Sequence, residues 1–217
     1  MNVEQARFNM IEQQIRPWDV LDASVLQLLS LVRREDFVPA SLRALAFMDT
    51  ELPLGGGRLA LAPRVEARLL QELRVQPTDR VLELGTGTGY LTALLAHQAK
   101  EVLSLEPSTE LAEAARARLR RLGLSRVEVR VAEGLDAGCP SEGPFDAIVA
   151  TGSLALLPET LKAQVREGGR ILLVEGHEPM MRAVLWQRQG DQWSRSERFD
   201  IVLPRLAGTT PKPEFAF

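Results

Sequence analysis

Apolar residues in the first fifty positions recur at helical spacing, and from about residue 80 they gather instead into short runs separated by turn residues. Val3, Ala6, Met10, Ile11 and Ile15, with Arg7 and Gln14 on the same face, predict a helix over residues 2–16 that Pro17 stops. A second helix is predicted from Ala23 to Arg33, with Asp22 as its N-cap and Val25, Leu26, Leu28, Leu29 and Val32 as its buried side. Arg33 and Arg34 suit its C-terminal end. Phe37-Val38-Pro39 closes the unit, and Ser41 opens a short helix through Phe47. The stretch from Glu51 to Pro63, with Gly55, Gly56 and Gly57, reads as a loop. Pro63 then starts a helix whose core face is Val65, Leu69, Leu70 and Leu73.

Beyond the turn Gln76-Pro77-Thr78-Asp79 the pattern alternates. Val81 to Leu84 is a strand and Leu91 to Gln98 a helix; Glu101 to Leu105 is a strand ending in Glu106, and Leu111 to Leu122 a helix ended by Gly123. Val127 to Val131 and Phe145 to Ala150 are strands, the latter apolar enough to be covered on both faces. Leu154 to Val165 reads as a helix, Gly168-Gly169 as a turn and Arg170 to Glu175 as a further strand. Residues 183–188 and 198–203 predict two strands joined through Gln189-Gly190-Asp191, and a tail runs from Gly208 to Phe217. Strand followed by helix, repeated, calls for a doubly wound α/β fold: parallel strands need crossover connections, and those place helices on both faces of the sheet.

Composition narrows the function. The 217 residues carry 26 basic and 29 acidic side chains for a net charge of −3, which leaves no electrostatic footprint for nucleic acid. Arg116, Arg118, Arg120 and Arg121 scatter around their helix and read as a solvated surface. One cysteine, Cys139, and two histidines, His97 and His177, exclude an internal disulfide and argue against a metal site. No stretch has the length of a membrane span, and the expectation is a cytoplasmic protein without membrane partners.

In a parallel sheet the ligand sits beyond the carboxyl ends of the strands. Gly85-Thr86-Gly87-Thr88-Gly89 follows the first of them, in a G-x-G-x-G spacing that matches neither the dinucleotide fingerprint nor the P-loop. Such a loop alone fits an ordinary turn or a nucleotide cradle. Glu106, 21 residues past Gly85, ends the second strand, where a carboxylate accepts both ribose hydroxyls of a nucleoside. Glu133-Gly134 and Thr151-Gly152 end the next two. NAD and S-adenosylmethionine both suit such an acid. Glu83, two residues ahead of the first glycine, favours a ligand with ammonium and sulfonium charges over one with a pyrophosphate.

These residues resemble the class I S-adenosylmethionine-dependent methyltransferases, and among them the protein-L-isoaspartate O-methyltransferases. Met10 to Arg16 (M-I-E-Q-Q-I-R) is similar to that family's N-terminal helix motif, and Arg34-Glu35-Asp36-Phe37-Val38-Pro39 to its R-E-x-F-V-P segment. Asp49 to Gly55 resembles the lead into its substrate loop, Val81 to Tyr90 its V-L-E-I-G-T-G-S-G-Y motif, and Phe145 to Thr151 and Glu167 to Arg170 its later motifs. The resemblance implies a doubly wound, mostly parallel, seven-stranded Rossmann-like methyltransferase sheet, with an N-terminal helical extension over residues 1–50 and one donor-binding unit over 51–217. It implies S-adenosylmethionine as donor and S-adenosylhomocysteine as product. The donor would be held by Glu83, Gly85, Thr86, Gly87, Gly89, Tyr90, Glu106, Pro107, Glu133, Gly134 and Thr151. The implied acceptor is the isoaspartyl carboxylate of a peptide or protein.

The substrate loop departs from the family's G-x-G-Q-T-I-S-Q-P. Leu59 stands for the threonine, Leu61 for the serine and Ala62 for the next polar residue. Arg58 or Arg64 is a candidate for a bidentate carboxylate contact that replaces the hydroxyls, and Glu66 for an approach to donor or substrate. A less polar small-molecule acceptor, or a donor-binding module without catalysis, are the alternatives that the altered loop leaves open.

Overall fold

The computed structural model describes residues 2–209, so the part of the predicted tail beyond Thr209 lies outside the described residues. The alternating half of the chain forms one mixed sheet. Its strands are β3 (Arg80–Leu84), β4 (Glu101–Glu106), β5 (Val127–Val131), β6 (Phe145–Leu154), β7 (Val165–His177), β8 (Met180–Gln189) and β9 (Gln192–Asp200), in the order β5-β4-β3-β6-β7-β8-β9. The first five in sequence are mutually parallel, and β8 and β9 add antiparallel hairpin partners. The expected seven-stranded, mostly parallel sheet is present.

The sheet's alternation divides the core. Val81, Val102, Val129, Ala147, Val149, Leu172 and Val174 point to one face, where they meet α3 (Pro63–Leu73), α4 (Tyr90–Gln98) and α5 (Thr109–Arg121). The N-terminal elements pack into the same layer through Met10, Ile11, Ile15, Val25, Leu29 and Phe37. Leu82, Leu84, Leu103, Leu105, Ile148, Ile171 and Leu173 point to the other face. That layer is thin: between β5 and β6 there are only the 3₁₀ turns Leu135–Ala137 and Pro140–Glu142, and between β6 and β7 only α6 (Glu159–Lys162).

Four expectations of secondary structure need correction. The helix predicted over Leu154 to Val165 shrinks to α6, because β6 continues through Leu154 by pairing with β7 and Pro158 delays the helix start. The stretch read as a loop before Pro63 contains the hairpin β1 (Leu52–Gly55) and β2 (Arg58–Ala60). Its turn puts Gly55, Gly56 and Gly57 at φ of 89°, 57° and 73°, a conformation that glycine alone adopts without strain. The strand expected over 198–203 lies earlier, at β9, and residues 201–204 leave the sheet. The first helix is α1 (Val3–Met10) followed by a π turn at Ile11–Ile15 and a 3₁₀ turn at Arg16–Trp18, which accepts Pro17. The second helix, α2 (Ala23–Leu31), keeps its Asp22 cap, with the side chain accepting from the amides of Ser24 and Val25.

Arg34, expected to finish α2, is buried instead. Its guanidinium donates to Glu66 Oε2 at 3.1 Å, to the Ala46 carbonyl at 2.6 Å and to the Leu61 carbonyl at 2.6 Å, and it stacks 5.7 Å from the Tyr90 ring. One side chain thus ties the N-terminal elements to the segment that follows β2 and to the start of α4. Burial pushes Glu66 up from 4.5 to about 7, against the pull of Arg34. Arg34→Met is expected to cost about 3 kcal/mol in urea unfolding at pH 8, where it leaves the acid and two carbonyls unpartnered. The loss should be smaller at pH 5.5, where Glu66 holds its proton.

Candidate functional site

β3 runs into the glycine loop with Gly85, Gly87 and Gly89 at φ of 97°, 52° and 84°. The Gly85 and Thr86 amides donate to the Leu105 carbonyl at 2.9 and 3.2 Å, which turns the loop over the end of β4. The Gly87 amide donates to Glu106 Oε2 at 2.9 Å, and the Ser108 amide to Oε1 at 3.0 Å. Two backbone amides therefore fix the carboxylate at the carboxyl end of β4. Thr151, past the middle of β6, donates its hydroxyl to the Leu84 and Gly85 carbonyls at 3.1 and 2.8 Å. A Cβ at Gly85 would lie 2.2 Å from that hydroxyl, so only glycine fits there.

A cavity open to solvent lies against this loop. Gly85, Gly87, Glu106 and Thr151 line one side of it. The hairpin and its sequel contribute Leu54, Arg58, Leu59 and Leu61, and α5 contributes Leu111. The segment after β9 completes the wall as a strap, Pro204 to Ala207. Ser153 fastens that strap: its amide donates to the Pro204 carbonyl, and its carbonyl accepts from the Leu206 amide, both at 2.9 Å. A Cβ at Gly152 would lie 2.6 Å from Leu206 Cα, so the close approach of strap and strand requires glycine.

The remaining expected site residues are placed elsewhere. Glu83 is fully buried beneath the loop, where Oε2 accepts from Thr92 Oγ1 at 2.5 Å and Ser104 Oγ at 2.6 Å, and Oε1 has no hydrogen-bond partner. Burial pushes it up from 4.5 to about 8; the Ser104 and Thr92 hydroxyls oppose this and the charges of Glu66 and Glu106 add to it. Its carboxyl lies beneath the loop and does not line the cavity described above. Thr86 shares its hydroxyl with Ser104 at 2.6 Å. Tyr90 is buried edge-on to Phe37 at 5.4 Å, and burial raises its phenol. Gly89 faces Ala115 of α5, where a Cβ would approach to 3.2 Å. Glu133 is exposed, and Pro107 and Gly134 flank the strap at Gly208. Arg64 pairs with Asp49 and stacks 5.1 Å from Trp18, away from the cavity, and Glu66 is held by Arg34. Among the substrate-loop candidates, Arg58, Leu59 and Leu61 reach the cavity.

Sequence reading missed the strap, with Arg205 and Leu206, because nothing in Pro204-Arg205-Leu206-Ala207 after a strand shows that it folds back. It also missed Arg118, whose guanidinium donates to the Thr88 carbonyl at 3.3 Å, and Arg116, which donates to Val129 O at 2.8 Å; neither is simply solvated.

The donors of the loop decide between ligand types. A pyrophosphate needs unpaired amides, and those of Gly85, Thr86 and Gly87 already serve Leu105 and Glu106. What the loop offers is a carboxylate facing a narrow, largely apolar cleft, which fits a nucleoside without phosphate. The fit to S-adenosylmethionine therefore rests on Glu106 and the used amides. A doubly wound sheet with this loop and this acid defines a class I S-adenosylmethionine-dependent methyltransferase.

Residues 5–202 match the family model described as protein-L-isoaspartate(D-aspartate) O-methyltransferase. A protein-L-isoaspartate O-methyltransferase of Methylorubrum populi is 38% identical over 207 residues, covering 94% of this chain and 97% of its own. One from Yersinia enterocolitica is 40% identical over 172 residues, covering 79% of this chain and 82% of its own. A Plasmodium falciparum structure described as a protein-L-isoaspartate O-methyltransferase in complex with S-adenosyl-L-homocysteine superposes with a TM-score of 0.75 at 21% identity, covering 96% of this chain and all of its own. Another solved protein-L-isoaspartate O-methyltransferase gives a TM-score of 0.77 at 23% identity, covering 95% of this chain and 66% of its own length. The chain belongs to the protein-L-isoaspartate O-methyltransferase family, and its methyl donor is S-adenosylmethionine. Among the described residues no helix is long and apolar enough to cross a membrane.

The buried acids give a pH test. Between 4.5 and about 8 the unfolded chain has lost the Glu83 proton and the folded chain keeps it, so stability falls as pH rises, by about 1.4 kcal/mol per unit. Glu66 contributes the same slope only up to about 7. Glu83→Gln is therefore expected to flatten the melting temperature between pH 7 and 8 and to leave a slope between 5 and 7, as read by thermal unfolding across that range.

Proposed function

We propose that the enzyme methylates the isoaspartyl carboxylate of peptides and proteins, with Glu106 holding the donor's ribose hydroxyls and Gly85, Gly87 and Thr151 forming the floor beneath it. The observation that carries this is the cavity's lack of a proton acceptor suited to an alcohol or an amine. Its polar side chains, among the described residues, are Arg58, Glu106, Thr151 and Arg205; Glu106 is held by two amides, and the Thr151 hydroxyl is committed to carbonyls. A carboxylate is ionised at neutral pH and needs no base.

When bound, S-adenosylmethionine supplies a methyl group on sulfonium, which a carboxylate oxygen takes while the bonding pair stays on sulfur, leaving a methyl ester and S-adenosylhomocysteine. The chain's own contribution is positioning and exclusion of water. Leu54, Leu59, Leu61, Leu111 and Leu206 narrow the cleft, and Arg58 and Arg205 give it the positive charge that an anionic acceptor requires. Those two arginines favour a carboxylate over the less polar acceptor that Leu59 and Leu61 alone would suit.

The test is methyl transfer to an isoaspartyl peptide beside its normal aspartyl counterpart. Turnover is expected with the first and not the second; S-adenosylhomocysteine binding by calorimetry without turnover on either would overturn the assignment. Glu106→Ala is expected to weaken S-adenosylhomocysteine binding by about tenfold to a hundredfold, the loss of one or two hydrogen bonds to a charged group.

A further inference from the structure

Arg58 projects from β2 into the donor cleft. Its Nε lies 4.0 Å from Glu106 Oε1, too far for a hydrogen bond, and that Nε is buried with no hydrogen-bond partner. The guanidinium thus faces the acid assigned to the ribose, without a bond that would hold it there. A half-buried cation held there only across 4.0 Å exchanges readily for a better anion.

An acceptor carboxylate entering the same cleft must find donors to replace its water. Leu59 and Leu61 offer none, the Thr151 hydroxyl already serves two carbonyls, and the amides of Gly85, Thr86 and Gly87 are taken. Arg205 is engaged with His177, Nη2 to Nδ1, at 3.3 Å. The remaining group is Arg58. Glu106, however, repels any second carboxylate brought to Arg58 for as long as its own charge faces that cation.

We propose that Arg58 is the residue that receives the acceptor's carboxylate, and that it becomes available only when the donor's ribose takes over Glu106. This rests on the proposed carboxylate acceptor. Hydroxyls bonded to Glu106 partly neutralise its field and displace the arginine toward the second ligand, so donor and acceptor bind with positive coupling. The coupling is reciprocal: each ligand tightens the other by the same factor. Arg58 acts as a specificity-determining residue, and the β1–β2 hairpin that carries it, with its turn of three glycines, provides the freedom to move.

The experiment is calorimetric titration of an isoaspartyl peptide into the wild-type enzyme with and without saturating S-adenosylhomocysteine, repeated for Arg58→Met and Arg58→Lys. Wild type is expected to bind the peptide about tenfold more tightly with S-adenosylhomocysteine present, the scale of one charge-assisted hydrogen bond. Arg58→Met should bind S-adenosylhomocysteine at least as tightly as wild type, which also shows that it is folded. It should bind the peptide weakly in both states, with the coupling gone, and Arg58→Lys should recover part of it. Equal peptide affinity with and without S-adenosylhomocysteine in wild type, or full coupling in Arg58→Met, overturns the inference. If wild type binds S-adenosylhomocysteine but never the peptide, the proposed acceptor falls instead, and this inference falls with it.

Discussion

The site depends on one crowded turn. Where β3 ends, the chain passes over the end of β4 and under Thr151, so close that Gly85 has no room for a single carbon. The same passage commits three successive groups: two amides go to Leu105, one to Glu106. Fixing Glu106 and closing the loop to phosphate are therefore a single event. Discrimination against a pyrophosphate here comes from amides already used within the fold, beside a carboxylate that faces the cleft.

Beneath the turn lies a layer of buried polar groups that supports it. Glu83, Thr92, Ser104 and Thr86 form one hydrogen-bonded group, and Arg34, Glu66 and Tyr90 form a neighbouring one. Neither faces the cavity. Burial holds both acids toward their neutral forms, which lets a glycine-rich loop rest on carboxyls without accumulating charge. Arg34 spans the distance between the N-terminal elements and the Leu61 carbonyl, so this wall of the cavity is positioned from residues far away in the chain.

Much of this was legible before the structure. The alternation from Val81 to Glu175 gave the parallel sheet, because periodicity and strand-end polarity are local, and Glu106 and Thr151 stood where such a sheet presents its ligand. The acids were not readable in the same way. Glu83 and Glu66 carry a charge in the one-letter code, and only three-dimensional burial shows that the fold suppresses it. Arg34 looked like a helix terminus for the same reason. The helix expected after Leu154 failed because pairing with β7 outweighed local propensity, and the hairpin at Leu52 to Ala60 was hidden by its glycines, which mark a turn as readily as a linker.

The strap has a temporal meaning. Pro204 to Ala207 roof a cleft whose floor is laid down about a hundred residues earlier, at Gly85 and Glu106. During synthesis the floor, the hairpin and all nine strands emerge first, and the roof can dock on Ser153 only afterwards. The growing chain therefore holds an open cleft until the strap has left the ribosome, and enclosure of the cleft comes late in folding.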